Sequence, residues 1–331
     1  MERLILTPNG FMYRQDNDEL VFVEGVCQVI VSVPRQADTI NDIPFLPYNH
    51  QEGNERKTYR MTCKQCLVER REDLCPHSLE ERAFRSTYCL CEIFYAASLG
   101  YEILVLEEAL IYVQQEPIFA SFFKLCASMK IRHDSVPPQY QDCLDVYCDK
   151  VNAGMNFTED FEKLTPAKLV KNLSEKTSMK QLMNRIIGKL GQRPAHPGVE
   201  FVTEKGRIGE LFADPTLDIQ NAFSVNENMM QVNYLKRDKY IQDSRKNNPV
   251  INSLITAKAR MKLHKTVCQV QSCGAKVLYV DTDSILMLVP RQVEKDLGIA
   301  ISSSIFGHWK DECPLGQYIS QFLGLRYAIS Q

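Results

Sequence analysis

The chain has almost no excess of charge: 39 lysines and arginines stand against 41 aspartates and glutamates, a formal net charge of −2. So balanced a molecule is not a nucleic-acid binder over its whole surface, and any grip on a phosphate backbone needs positive charge gathered locally. An apolar run of about 18 residues is missing, which argues against a membrane span. The first residues, Met1-Glu2-Arg3-Leu4-Ile5-Leu6-Thr7, lack the long apolar core of a secretory signal, so an intracellular protein is expected, nuclear or cytoplasmic. Gly/Ser linkers, low-complexity tracts and solenoid repeats are also lacking. What remains is 331 residues, 44% hydrophobic and 24% charged, the profile of a packed protein with one large domain or two ordinary ones. Cysteine, by contrast, is plentiful: twelve residues, which without a signal read as reduced thiols or metal ligands and not as a disulfide frame.

Residues 19–23 and 26–33, rich in Val and Ile around Gly25 and closed by Pro34, predict strands. Ser78 with Glu81 forms a capping box, and Phe84, Tyr88, Cys91, Tyr95 and Leu99 recur at helical spacing up to Gly100. A single helix is therefore expected there, followed by a strand at 101–106. Helices are expected at 117–129 and 139–151, with a boundary loop at 152–162 containing Gly154. Residues 199–246 look mixed and strand-rich without resolving further. Asn248 before Pro249 predicts a helix to about residue 270, with Ile255, Ala259, Leu263 and Val267 along one side. Residues 292–306 look helix-like.

The sharpest chemical signal lies at residues 277–289. Val277-Leu278-Tyr279-Val280 and Ile285-Leu286-Met287-Leu288-Val289 read as two buried strands, with Asp281, Thr282, Asp283 and Ser284 at the turn. Two carboxylates at close range repel unless a cation neutralises them. Mg²⁺, which favours carboxylate oxygens, water and substrate phosphates, would do so and serve phosphoryl transfer. A bare Asp-x-Asp is more often a surface turn; here the flanking apolar strands change the odds.

A second signal is the basic segment 163–193. Met179, Leu182, Met183, Ile186, Ile187 and Leu190 form an apolar stripe. Lys180, Asn184 and Gly188, at i, i+4 and i+8, share one polar face. A lysine there can clamp triphosphate oxygens, and a glycine lets a base pair approach the backbone. Alone, this would be an ordinary solvated face.

Together, Tyr279-Val280-Asp281-Thr282-Asp283-Ser284 and Lys180-x-x-x-Asn184 with Gly188-Lys189 resemble the palm and nucleotide-binding motifs of family B DNA polymerases. The likeness is to the protein-primed type of the Maverick/Polinton and adenovirus group. Further segments are similar to that group: Thr256-Ala257-Lys258-Ala259-Arg260 with Leu263, the Ile43–Tyr48 run with the cysteines after it, and Gly307-His308-Trp309-Lys310-Asp311-Glu312 with Gly324-Leu325-Arg326-Tyr327. Arg185, Ile187 and Leu325 depart from the family pattern, which has Ser, an aromatic residue and Lys at those places.

The resemblance implies an α+β polymerase palm, an antiparallel sheet with helices. It would comprise palm-edge strands at 1–60, a cysteine-rich helical insertion at 61–152 and fingers helices at 153–200. The palm with the hairpin would follow at 201–291 and the start of a thumb at 292–331. It implies DNA-directed DNA polymerase activity in a viral or mobile element. Asp281 and Asp283 would hold Mg²⁺. Lys180, Asn184, Gly188, Tyr279 and Thr282 would meet the nucleotide, and Arg260, Lys262, Arg326 and Tyr327 the DNA. Partners would be primer–template DNA, deoxynucleoside triphosphates and a terminal protein primer. The family's first palm strand, Asp-x-x-Ser-Leu-Tyr, and its exonuclease domain have no counterpart here. The isolated chain is therefore expected to polymerise poorly or not at all, as a fragment or as a relic that binds DNA. A reverse-transcriptase-like palm is a weaker reading, since its aspartates are adjacent and here Thr282 intervenes.

Cys63-x-x-Cys66 with Cys75-x-His77 offers four ligands suited to structural Zn²⁺, although the Cys-x-His end is tight. Reduced thiols in a folded insertion are the other reading. Cys89 and Cys91 read as packing residues, and the scattered cysteines as core thiols.

Overall fold

A computed structural model describes residues 4–34, 45–52, 55–59, 63, 65–66, 75–114, 116–192, 197–241, 247–290, 297–302, 304–311 and 329–330. These residues form an α+β protein with six α-helices and several antiparallel sheets. In chain order the elements are β1 (Leu4–Thr7), β2 (Gly10–Arg14), β3 (Leu20–Phe22), β4 (Glu24–Ser32), β5 (Tyr48–Glu52), β6 (Glu55–Tyr59), β7 (Ala83–Cys89), α1 (Leu90–Ser98) and β8 (Glu102–Tyr112). There follow α2 (Ala120–Arg132), α3 (Leu144–Met155), α4 (Leu173–Leu190), β9 (Gly198–Val202), α5 (Lys205–Ala213), β10 (Leu217–Asn226) and β11 (Met229–Lys236). The chain ends with α6 (Pro249–Ser272), β12 (Lys276–Asp281), β13 (Ser284–Leu288), β14 (Lys310–Asp311) and β15 (Ile329–Ser330). Two compact units result, one of Met1–Met183 with Ser253–Gln331, the other of Asn184–Asn252.

In the first unit β4 is the centre of a sheet ordered β7-β4-β8. Its side chains alternate, and Cys27, Val29 and Val31 point into the core with Phe84, Tyr88, Leu90 and Ile93. A Cβ at Gly25 would stand 2.0 Å from the Leu110 carbonyl oxygen, so only glycine lets β4 and β8 approach there.

The single helix expected from Ser78 is not formed. The Ser78–Glu81 box is made, with the Ser78 amide donating to Glu81 at 2.7 Å, but it closes only a turn. Ala83–Cys89 then pairs along β4, from Ala83 with Ser32 to Cys89 with Val26. Phe84 and Tyr88 are four apart, which puts them on one face of a helix and equally on one face of a strand. The neighbouring strand decides between the two. The helix begins only at Leu90, where the Cys89 amide donates to Glu92.

Helices α2 and α3 pack on Phe157 and Leu164. The Asn152 amide group brackets the Leu164 backbone at 2.8 and 3.0 Å, which fixes residues 152–162 within this unit. Helix α6 starts as expected, with Asn248 Oδ1 accepting the Ile251 amide at 3.0 Å. Its Leu263, Val267 and Val270 pack against Ile285 and Met287 of the hairpin and against Trp309. Residues 297–302 and 304–311 carry no helix, unlike the helix-like reading of 292–306, of which 292–296 and 303 lie outside the described residues. Trp309 is the reason: its amide bonds Ala300, its carbonyl accepts from Ser302, and its indole donates to Thr266 of α6. In the second unit the residues the sequence left unresolved form a sheet ordered β10-β11-β9, with α5 packed on it through Leu211. Among the described residues no helix is long and apolar enough to cross a membrane.

Candidate functional site

Strands β12 and β13 pair antiparallel, with Asp281 opposite Ser284, leaving Thr282 and Asp283 as a two-residue turn. Asp281, Thr282 and Asp283 are all exposed. Thr282 donates to Asp281 Oδ1 at 3.0 Å, and the Ser284 hydroxyl donates to the Asp281 carbonyl at 3.1 Å. Thr282 has φ 46°, in the left-handed region where two-residue hairpins ordinarily place Gly, Asn or Asp. A β-branched residue there is strained by roughly 1–2 kcal/mol. Both strands were expected to be buried, but only β13 alternates with buried residues. Among the described residues β12 pairs with β13 alone, and it exposes Leu278 and Tyr279. Two exposed carboxylates so placed can present oxygens to a hard divalent cation. Among the described residues no third carboxylate, thiol or imidazole joins them in a compact group.

Lys180, Asn184 and Gly188 are exposed on α4, and a Cβ at Gly188 would meet nothing within 4 Å. Of the expected apolar stripe only Met183 is buried. Lys180 is close enough to Lys130 of α2, as are Lys176 and Lys310, for their charges to help hold the Lys130 ammonium below its usual range, after burial as the main cause. The strand register sets Lys310 level with Ser284 two strands away, about 9–10 Å.

Two of the residues expected to meet DNA make contacts within the protein. Arg260 meets the buried Glu92 carboxylate at 2.7 and 2.8 Å, joining α6 to α1. Removing it would leave a buried charge uncompensated. Lys262 donates to the Gly307 carbonyl and lies over the Trp309 ring at 5.6 Å. Both side chains are thus in contact with protein groups and remain partly exposed. Arg326 and Tyr327 lie outside the described residues.

The cysteine motif closes on itself. The Sγ atoms of Cys63, Cys66 and Cys75 stand 3.4, 3.3 and 3.4 Å from His77 Nδ1, and all four ligand atoms lie within 4.8 Å of one another. A tetrahedral zinc ion with ordinary bond lengths sets sulfur and nitrogen about 3.5 Å apart, so the four residues fit it. The three thiols are buried, which leaves few other partners for a charged group. The cluster can thus hold a metal such as zinc, through Cys63, Cys66, Cys75 and His77. Burial, then the neighbouring Cys75 and Cys63, pushes the Cys66 thiol up to about 12, so a metal must displace its proton. Burial, aided by nearby carboxylates, likewise pushes Cys27, Cys89 and Cys91 up to about 12 and makes them inert core thiols.

Sequence reasoning did not find Lys130 or Lys310. Only the fold brings Lys130 near Lys180 and Lys310.

No protein-family model matches the chain, and no curated protein or solved structure is similar to it at a significant level.

Proposed function

We propose that the chain is the polymerising portion of a protein-primed family B DNA polymerase, and that its hairpin serves template-directed nucleotidyl transfer. The observation that carries this reading is Thr282. A turn selected for stability alone would use glycine or asparagine at φ 46°, whereas here a strained threonine stands between two exposed aspartates. The family motif supplies a reason for that choice, since Thr282 donates to Asp281 and orients its carboxylate. Asp281 and Asp283 would hold Mg²⁺, which activates a hydroxyl and stabilises the leaving oxygen in phosphoryl transfer. Lys180 would receive the triphosphate of the incoming nucleotide, and Asn184 and Gly188, further along the same helix, are assigned to the base pair. Primer–template DNA and a terminal protein would be the partners. Positioning and charge neutralisation would carry the catalysis.

Binding of a fluorescent deoxynucleoside triphosphate to the full chain tests this. Binding is expected to need Mg²⁺ and to weaken about tenfold in Asp283→Asn and in Lys180→Met, with primer extension weak or absent. Equal binding in EDTA, or wild-type affinity in both variants, would contradict it. Arg185 and Ile187, with the unaccompanied Asp281–Asp283 pair among the described residues, favour as second reading a polymerase-derived DNA-binding module. That module would bind DNA in a salt-dependent manner without Mg²⁺-dependent nucleotide binding.

A further inference from the structure

Beside the α2–α3 pair lies an open pocket of about 120 Å³, lined among others by Lys130, Asp134, Tyr147, Ser304, His308 and Lys310. That space equals several water positions at roughly 10–15 Å³ each, enough for a phosphate group. We infer that it binds the phosphate of a nucleic-acid strand or a free phosphate.

The charge is one-sided. Lys130 and Lys310 line the pocket, and Lys176 and Lys180 are near enough to act on Lys130. Asp134 is the single carboxylate among the lining residues described, and Lys176 neutralises it at 2.5 Å. Three other ammonium groups and one carboxylate are thus near enough to act on Lys130, in a chain whose net charge is −2. Burial costs the Lys130 ammonium part of its hydration, and its Nζ is held over the Phe306 ring at 4.4 Å. An anion entering the pocket would relieve the repulsion among these lysines. Neutral donors complete the set. Tyr147 donates to Ser304 Oγ at 3.0 Å, which leaves the serine's own proton to give. His308 also lines the pocket and can add a second donor. This inference does not rest on the hairpin. The lysines come from α2, α4 and β14 and recognise a phosphate whatever the aspartates do.

The test is made in EDTA, so that no cation at the hairpin contributes. A labelled single-stranded oligonucleotide is titrated with the full chain by anisotropy over a salt series, and inorganic phosphate by calorimetry. Lys130→Met and Lys310→Met keep the aliphatic stems, and unchanged melting temperatures establish their folding; Lys205→Met, on the second unit, serves as control. Each pocket variant is expected to weaken strand binding roughly three- to tenfold for any base sequence and to lower the log–log salt slope by about 0.7–1. Loss of phosphate binding alone in the same variants identifies a free anion as the ligand. Wild-type behaviour of both folded variants in both arms, or equal loss in Lys205→Met, overturns the inference.

Discussion

At residue scale, Thr282 holds a conformation that costs its hairpin free energy, and it faces solvent, so no packing explains it. Thr282→Gly should remove the strain, less the entropy glycine adds to the unfolded chain, for a net gain of up to about 1 kcal/mol. A thermal melt would then rise by up to about 1–2 °C. A fall would mean that the hydroxyl bond to Asp281 matters more to folding than the backbone strain. The dihedral itself was not legible in the sequence. The hairpin was, because a polar tetrad between two apolar runs is a local pattern. Arg260 shows the converse: its charge was legible, but not its partner, since Glu92 lies 168 positions away and reaches it only through packing of α1 on α6.

At element scale, the metal-ligand cluster was legible because its four ligands fall within 15 consecutive positions, Cys63 to His77. Strand β7 was not, because the spacing of Phe84 and Tyr88 satisfies two periodicities and the decision belongs to β4. The tight Cys75-x-His77 end counted against a metal in the sequence, yet both ligand atoms reach the centre. Purified protein should carry about one zinc per chain, and Cys63→Ser should carry none. Zinc uptake should also release protons, more steeply resisted as pH falls, since the Cys66 thiol is otherwise protonated. Metal content near zero in freshly purified wild type would leave the cluster as reduced thiols.

At the scale of the molecule, the balanced composition conceals a local separation of charge. Lysines from α2, α4 and β14 gather within the first unit, and the same sheet carries exposed aspartates at its hairpin. No window of sequence shows this, because the contributing residues lie between positions 130 and 310.

We propose that the bend at 281–284 collects a divalent cation. Iron(II), which replaces Mg²⁺ at oxygen sites, generates radicals that cut the backbone beside it when ascorbate and peroxide are added. Mass-spectrometric mapping of the cuts in the full chain measures the site directly. Cleavage is expected beside Asp281–Ser284, suppressed by excess Mg²⁺ and abolished in Asp283→Asn. Cutting elsewhere only, or cutting at the bend that Mg²⁺ leaves unchanged, would contradict it.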